Sequence, residues 1–129
     1  IMYQNPDLTP DQRNQTWLEL EHKYRPWIDF DNLPFYGRGA GWQRQLHIYE
    51  CPFYYIDYCL STMAALQFFL LSLHDQKDAW ERYLRLVRRA GTASYTELCE
   101  TAGLQVPFRD GSIKAIAQQM SQWIAEHQV

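Results

Sequence analysis

The sequence has little of what marks a disulfide-bonded, membrane-spanning or nucleic-acid-binding protein. Its three cysteines are odd in number and show no CxxC spacing, which argues against a disulfide or zinc framework and favours a reducing, cytoplasmic location. The formal net charge of −3 gives no electrostatic reason to expect a nucleic-acid partner. The longest apolar run, residues 59–73, is shorter than a membrane span requires and contains Gln67. A buried helix is therefore favoured over one that lies on a membrane surface.

The sequence also lacks strand patterns, whereas residues typical of helix starts and helix ends recur along it. Thr9-Pro10-Asp11-Gln12 and Ser94-Tyr95-Thr96-Glu97 both have the form of a capping box, in which two side chains satisfy backbone N–H groups at a helix start. Gly91 and Gly103 suit the left-handed residue that ends a helix. The pattern predicts an all-α chain of about five helices, forming a single helical domain over residues 1–129 or a fragment of one.

One segment, about residues 26–43, interrupts the helical pattern with two prolines and three glycines, which predicts an irregular loop. Gly37, Gly39 and Gly41 alternate within it, but no strand precedes them as a phosphate-binding loop requires. A mobile loop that could flex near a binding cleft is the favoured interpretation, because long irregular loops are more often functional than idle.

The helix predicted to begin near Pro52 and to run to about Leu73 is apolar or aromatic nearly all round. A helix of this kind needs burial on every side. Four modest neighbouring helices could supply that burial, but a larger body of protein would supply it better. The pattern favours a chain that is one part of a larger structure.

Aromatic residues make up 16% of the chain, and they are dense in the string HIYECPFYYIDY, His47 to Tyr58. Taken alone, His47 is compatible with a structural histidine at the junction of a loop and a helix. The tyrosines are compatible with core packing, although tyrosine is also common where peptides are gripped. Both interpretations stay open on the residues alone.

The string from His47 to Tyr58, continuing to Gln67, resembles a signature of the oligoendopeptidase F branch of the thimet oligopeptidase family. Trp42 shortly before it, and an LTP-initiated helix further upstream, agree with the resemblance. So does an ordered series downstream, made up of Tyr83, Leu86, Gly91, Ser94, Glu97-Leu98, Ala102-Gly103-Leu104 and Pro107-Phe108. The resemblance covers nearly the whole chain and identifies it as the C-terminal part of such a peptidase.

The resemblance implies an all-helical catalytic domain with a long cleft for short peptides, and it implies zinc chemistry. In this family a HExxH helix supplies two zinc ligands and the general base, and a later glutamate supplies the third ligand. This sequence contains no HExxH, and its four histidines, His22, His47, His74 and His127, are too scattered to replace it. We therefore expect zinc in the full-length enzyme, no metal bound by this chain, and no activity of this chain alone.

The resemblance implies that this chain contributes the family's His/Tyr element, which faces the metal across the cleft. It implies that His47 and Tyr58 stabilise the oxyanion and that Tyr54 and Tyr55 bind the substrate. An imidazole N–H or a phenol O–H can donate to the negative charge that develops in the transition state. Because adjacent residues on a helix point about 100° apart, the tyrosines are not all expected to face one substrate.

The expected partners are short peptide substrates and the remainder of the catalytic domain, with no nucleic acid and no membrane. The alternative is a non-catalytic helical module that binds a peptide or protein through the same aromatic surface.

Overall fold

A computed structural model describes residues 1–30 and 32–127. Over these residues it contains six α-helices, one 3₁₀ helix and no strand. The helices are α1 (Pro10–Tyr24), the 3₁₀ helix (Ala40–Arg44), α2 (Leu46–Glu50), α3 (Ile56–His74), α4 (Gln76–Arg89), α5 (Tyr95–Ala102) and α6 (Ser112–His127). The predicted all-α class is confirmed.

The six α-helices agree with the predicted number of about five, but the region around Pro52 folds differently from the prediction. A short helix, α2, comes before it, and the long helix begins only at Ile56. Between the two, Phe53 has a positive φ of 67°, which is outside the helical region.

The chain divides into two compact units, Ile1–Tyr55 and Ile56–Val129, which we call the N-terminal unit and the C-terminal unit. Each is described by itself. The expectation of a single helical domain, or a fragment of one, stays a prediction.

In the N-terminal unit, α1 begins at the predicted capping box. The Gln12 backbone N–H donates to the Thr9 hydroxyl over 3.3 Å, and the Thr9 backbone N–H donates to the Gln12 side chain over 2.9 Å. Pro10 occupies the start of the helix, where a missing N–H costs nothing. The signal in the sequence was read correctly because it is local.

The glycine-rich loop of the N-terminal unit packs closely on α1, contrary to the mobile loop that we expected. Gly39 is buried with φ 75°, and a Cβ at this position would collide with the backbone carbonyl of Asn14. A Cβ on Gly41 would lie 2.7 Å from the indole nitrogen of Trp17. The glycines therefore allow close approach of two backbone segments.

The C-terminal unit is organised around a small core of Cys99, Ala102, Leu104 and Val106. Partly buried side chains from α3, α4 and α5 pack against it, namely Ala64, Phe68, Leu71, Leu86 and Tyr95. The predicted capping box at Ser94 and the left-handed Gly103 bound α5 as expected.

Within this chain about half of the residues of α3 are exposed and most of the others are only partly buried, and Gln67 is its one buried residue. By length and composition alone, α3 is long and apolar enough to cross a membrane. Within this chain, 11% of its apolar stretch is buried. Ile56 and Leu73, near its two ends, are 55% and 48% exposed. The expected burial on every side is therefore not supplied by the neighbouring helices of the chain.

Candidate functional site

The segment that carries the predicted chemistry is fixed to α1 through Trp42. The Trp42 indole N–H donates to the Asn14 side chain over 2.8 Å, and its ring stacks on Tyr49 at 6.1 Å between centroids. Tyr49 lies in α2 two residues after His47. A short helix that would be marginal by itself is thus attached to a longer one.

After α2 the backbone turns back on itself. The Cys51 N–H donates to the His47 carbonyl over 3.3 Å, and the Tyr54 N–H donates to the Cys51 carbonyl over 3.2 Å. Phe53 takes the left-handed conformation between them. The turn sends the two following tyrosines toward the imidazole.

Three of the four predicted site residues meet at this turn. The Tyr54 ring is nearly parallel to the His47 ring, with 5.7 Å between centroids and 9° between planes. The Tyr55 ring is 4.7 Å away and tilted by 51°. Tyr54 and Tyr55 remain about half exposed, whereas the Nδ1 atom of His47 is shielded from solvent. The cluster presents two phenols and one imidazole at the protein surface.

Both tyrosines reach the same imidazole because neither belongs to a helix. The long helix begins only at Ile56, so the helical separation of about 100° expected for Tyr54 and Tyr55 does not apply. That expectation was wrong because it extended the helix back to Pro52.

Tyr58, the fourth predicted residue, lies in the first turn of α3 and is 50% exposed. It belongs to the C-terminal unit, since the boundary between the units falls between Tyr55 and Ile56. Its backbone carbonyl accepts a hydrogen bond of 2.7 Å from the Thr62 hydroxyl. The oxyanion role of Tyr58, like that of His47, stays a prediction.

A zinc ion finds no ligand set in the part of the chain that the structure describes. No group of three or more His, Cys, Asp or Glu side chains there could hold a metal ion. The resemblance implies zinc ligands outside this chain, and that expectation stays a prediction.

Sequence reasoning missed an aromatic groove in the C-terminal unit, with a volume of about 910 Å³. Trp80 and Tyr83 stack at 5.4 Å, and Phe68 meets Tyr83 edge to face at 5.5 Å. None of the four predicted site residues lines this groove. Trp80 is 58% exposed, although tryptophan is among the residues that dominate protein cores.

The most strongly shifted ionisable groups lie in the core of the C-terminal unit. Burial, together with a hydrogen bond to Cys99, raises the pKa of Tyr95 well above its usual range. Burial likewise raises the pKa of the Cys99 thiol. The Tyr95 hydroxyl donates to the Leu60 carbonyl over 2.8 Å. The raised pKa values of Tyr95 and Cys99 therefore follow from their packing in the core.

Two arginines of α4 contact neighbouring side chains or backbone. Arg82 pairs with Asp78 over 2.6 Å one turn earlier. Arg85 donates to the Thr101 carbonyl at the end of α5, over 3.3 Å. A cation at a helix C-terminus is stabilised by the carbonyls there, so the contact of Arg85 joins α4 to α5.

Comparison with known proteins gives no match to any protein-family model and no match to any curated protein. Solved structures do match. An oligoendopeptidase F is 40% identical, with a TM-score of 0.88 over 96% of this chain and 22% of the other. PZ peptidase A, in a structure with an inhibitor, is 42% identical, with a TM-score of 0.89 over 97% of this chain and 22% of the other. An oligoendopeptidase F from Bacillus anthracis str. Ames is 32% identical, with a TM-score of 0.70 over 99% and 19%.

The fold and these similarities show that the chain corresponds to an all-helical segment of the matched structures. The chain belongs to the oligoendopeptidase F family, and it spans about a fifth of the length of the relatives that it matches.

Proposed function

We propose that the chain forms the substrate-binding side of the active site of a zinc metallo-endopeptidase that hydrolyses short peptides, as the C-terminal part of its catalytic domain. The observation that carries this proposal is the 40–42% identity, over 96–97% of the chain, to segments of two peptidases. The zinc ligands and the general base would lie on the remainder of the polypeptide, because HExxH is absent from this sequence.

In this proposal His47 and Tyr58 donate hydrogen bonds to the oxyanion, and Tyr54 and Tyr55 hold the substrate. The stacking of Tyr54 on His47 at 5.7 Å supports a preorganised imidazole, since a donor already held in place costs no reorganisation during the reaction. The exposure of Tyr54 and Tyr55, 47% and 53%, leaves their rings and hydroxyls accessible to a peptide.

The exposed surface of α3 supports the proposal that the remainder of a catalytic domain covers this chain. Monomeric soluble proteins rarely expose large contiguous apolar patches, and those that do are marked for contact with another surface. The chain spans about a fifth of its relatives' length, so most of such a peptidase lies beyond the matched segment. Free thiols at Cys51, Cys59 and Cys99 support a reducing, cytoplasmic setting.

The first test compares the chain with the polypeptide encoded by its whole reading frame. We expect a HExxH upstream of His47, stoichiometric zinc in the long polypeptide, and hydrolysis of short fluorogenic peptides by that polypeptide only. The proposal fails if the reading frame encodes no HExxH or if the long polypeptide hydrolyses no peptide. Stoichiometric zinc on the chain alone would contradict the expectation that it holds no metal.

A second candidate function is a non-catalytic module that binds a peptide or protein. The groove of about 910 Å³ beside Trp80 and Tyr83 favours it, because concave apolar sites with a few polar groups are the usual shape of a binding site. Titration of the chain alone with short peptides separates the two. Tight binding that Trp80→Ala abolishes, and that His47→Ala leaves unchanged, supports the module.

A further inference from the structure

The turn that brings Tyr54 and Tyr55 onto His47 depends on an unusual backbone conformation. Among the described residues other than glycine, Phe53 alone has a positive φ, at 67°. This region is sparsely populated for a bulky side chain and costs free energy. The Phe53 ring is 78% exposed, so burial of the ring is not what offsets the cost. Strain of this kind persists only where surrounding contacts hold it.

Tyr3 supplies two contacts that hold the turn. Its hydroxyl donates to the carbonyl of Ile48, the residue that follows His47, over 2.5 Å. Its ring lies 5.2 Å from the Phe53 ring, tilted by 40°. One side chain therefore touches both the helix that carries His47 and the strained residue that directs the tyrosines back.

The segment around Tyr3 is itself anchored to α1, so it can resist movement of the turn. The Gln4 and Asn5 backbone N–H groups donate to the Ile1 carbonyl over 3.1 and 3.0 Å. Arg13 of α1 donates to the Leu8 carbonyl over 3.0 Å and to the Pro6 carbonyl over 3.1 Å. These contacts link α1 through the first residues to the turn.

We propose that Tyr3 is a positioning residue for His47: its hydroxyl on the Ile48 carbonyl and its ring on Phe53 hold the turn in which Tyr54 and Tyr55 pack against the imidazole. The catalytic consequence rests on the role proposed above for His47, whereas the positioning itself does not. Tyr3 acts through the turn and not through any contact with a substrate.

The test of positioning uses NMR of the chain, with the ring protons of His47 as the readout. Nearby aromatic rings shift these protons away from their values in an unstructured peptide. Tyr3→Ala removes both contacts, and we expect loss of that shift. Tyr3→Phe keeps the ring contact with Phe53 and loses the hydroxyl, and we expect a partial loss. Tyr24→Ala, at a tyrosine on the same unit that is 63% exposed, is the matched control and should leave His47 unchanged.

Unchanged His47 resonances in both Tyr3 variants would overturn the proposal. If Tyr3→Ala unfolds the unit, Tyr3→Phe still decides, because it removes only one hydroxyl. A change in the His47 signals with unchanged amide spectra on α1 supports positioning over a merely structural role.

The consequence for catalysis is measured in the long polypeptide. There we expect Tyr3→Ala to lower kcat about tenfold or more with little change in KM, because small misplacements of a reacting group have effects of this size. If the His47 signals move and kcat does not, the positioning stands and the catalytic role of His47 fails. The two failures are thus distinguishable.

Discussion

The two units of the chain are stabilised in different ways. In the N-terminal unit, the decisive contacts are specific and polar or depend on close backbone approach: Trp42 donates to Asn14, Gly39 lies against α1, and Tyr3 donates to the Ile48 carbonyl. In the C-terminal unit, apolar side chains around Cys99 form a small core, while about half of the residues of α3 are exposed.

The difference is informative about function. Contacts that fix geometry are concentrated where three of the predicted site residues meet, as expected for a site that must be preorganised. The apolar surface of α3, in contrast, is the kind that a further part of a protein covers. Three of the four proposed site residues thus lie in the N-terminal unit, and the proposed docking surface, with Tyr58, lies in the C-terminal unit.

The largest stability effect should come from Gly39→Ala, which tests whether the N-terminal unit depends on close backbone approach. An added Cβ would collide with the Asn14 carbonyl, and φ is 75°. We expect a loss of about 3 kcal/mol, measured by urea unfolding. Gly91→Ala is the control, because its φ is 77° but nothing lies within 4 Å. It should cost about 1–2 kcal/mol from conformation alone. Equal losses would show that proximity to α1 does not matter.

A smaller effect is expected for Gln67→Met, which tests the single polar residue buried on α3. Its amide accepts from the Gln105 N–H over 2.7 Å and donates to the Gln105 carbonyl over 3.1 Å. Methionine has a similar volume but leaves these backbone groups unpaired, at a cost of about 2 kcal/mol. The exposed Gln119→Met is the control and should be nearly neutral. If the two variants have the same unfolding midpoint, the hydrogen bonds between Gln67 and the Gln105 backbone do not stabilise the contact of α3 with the segment between α5 and α6.

The two capping boxes should give matched and modest effects, one in each unit. Thr9→Ala and Ser94→Ala each remove a hydroxyl that accepts a backbone N–H, and each should cost about 1 kcal/mol. Thermal unfolding followed by circular dichroism measures both. A much larger loss of unfolding free energy for Thr9→Ala than for Ser94→Ala would show that the N-terminal unit depends on α1 by more than local capping explains.

The smallest predicted effect is on the free energy of unfolding at acidic pH. Hydrogen bonds from the Ser94 backbone and then its side chain lower the pKa of Glu97. Because the folded pKa is below the unfolded one, this contribution is present above the unfolded pKa and is lost as the pH falls through the folded pKa. Ser94→Ala should raise the Glu97 pKa and weaken the pH dependence of unfolding in that acidic range. Thr9→Ala, in the other capping box, is the control and should leave the Glu97 pKa unchanged, because Thr9 caps α1 and accepts from Gln12.

Much of the fold could be predicted because helix boundaries leave local signals. The capping boxes at Thr9 and Ser94 and the left-handed Gly103 are each signalled by a few adjacent residues. The start of α3 could not be predicted in this way. It depends on the left-handed Phe53, which contacts Tyr3, fifty residues earlier in the chain.

The candidate site was predictable in composition but not in geometry. The residues His47, Tyr54 and Tyr55 came from a family resemblance, and the helical spacing of the tyrosines suggested that they diverge. The structure brings both rings to the imidazole because the turn, and not a helix, determines their directions. The role of Gly39 was misjudged for a similar reason, since the contact that requires a glycine lies on α1.

The proposal that this chain supplies transition-state donors to a peptidase is tested by steady-state kinetics of His47→Ala in the long polypeptide. We predict that kcat falls about 10²–10³-fold with little change in KM, as expected for a donor that acts in the transition state. Tyr58→Phe should behave in the same way, and Tyr24→Phe should resemble the wild type. Turnover like that of the wild type in His47→Ala would contradict the account.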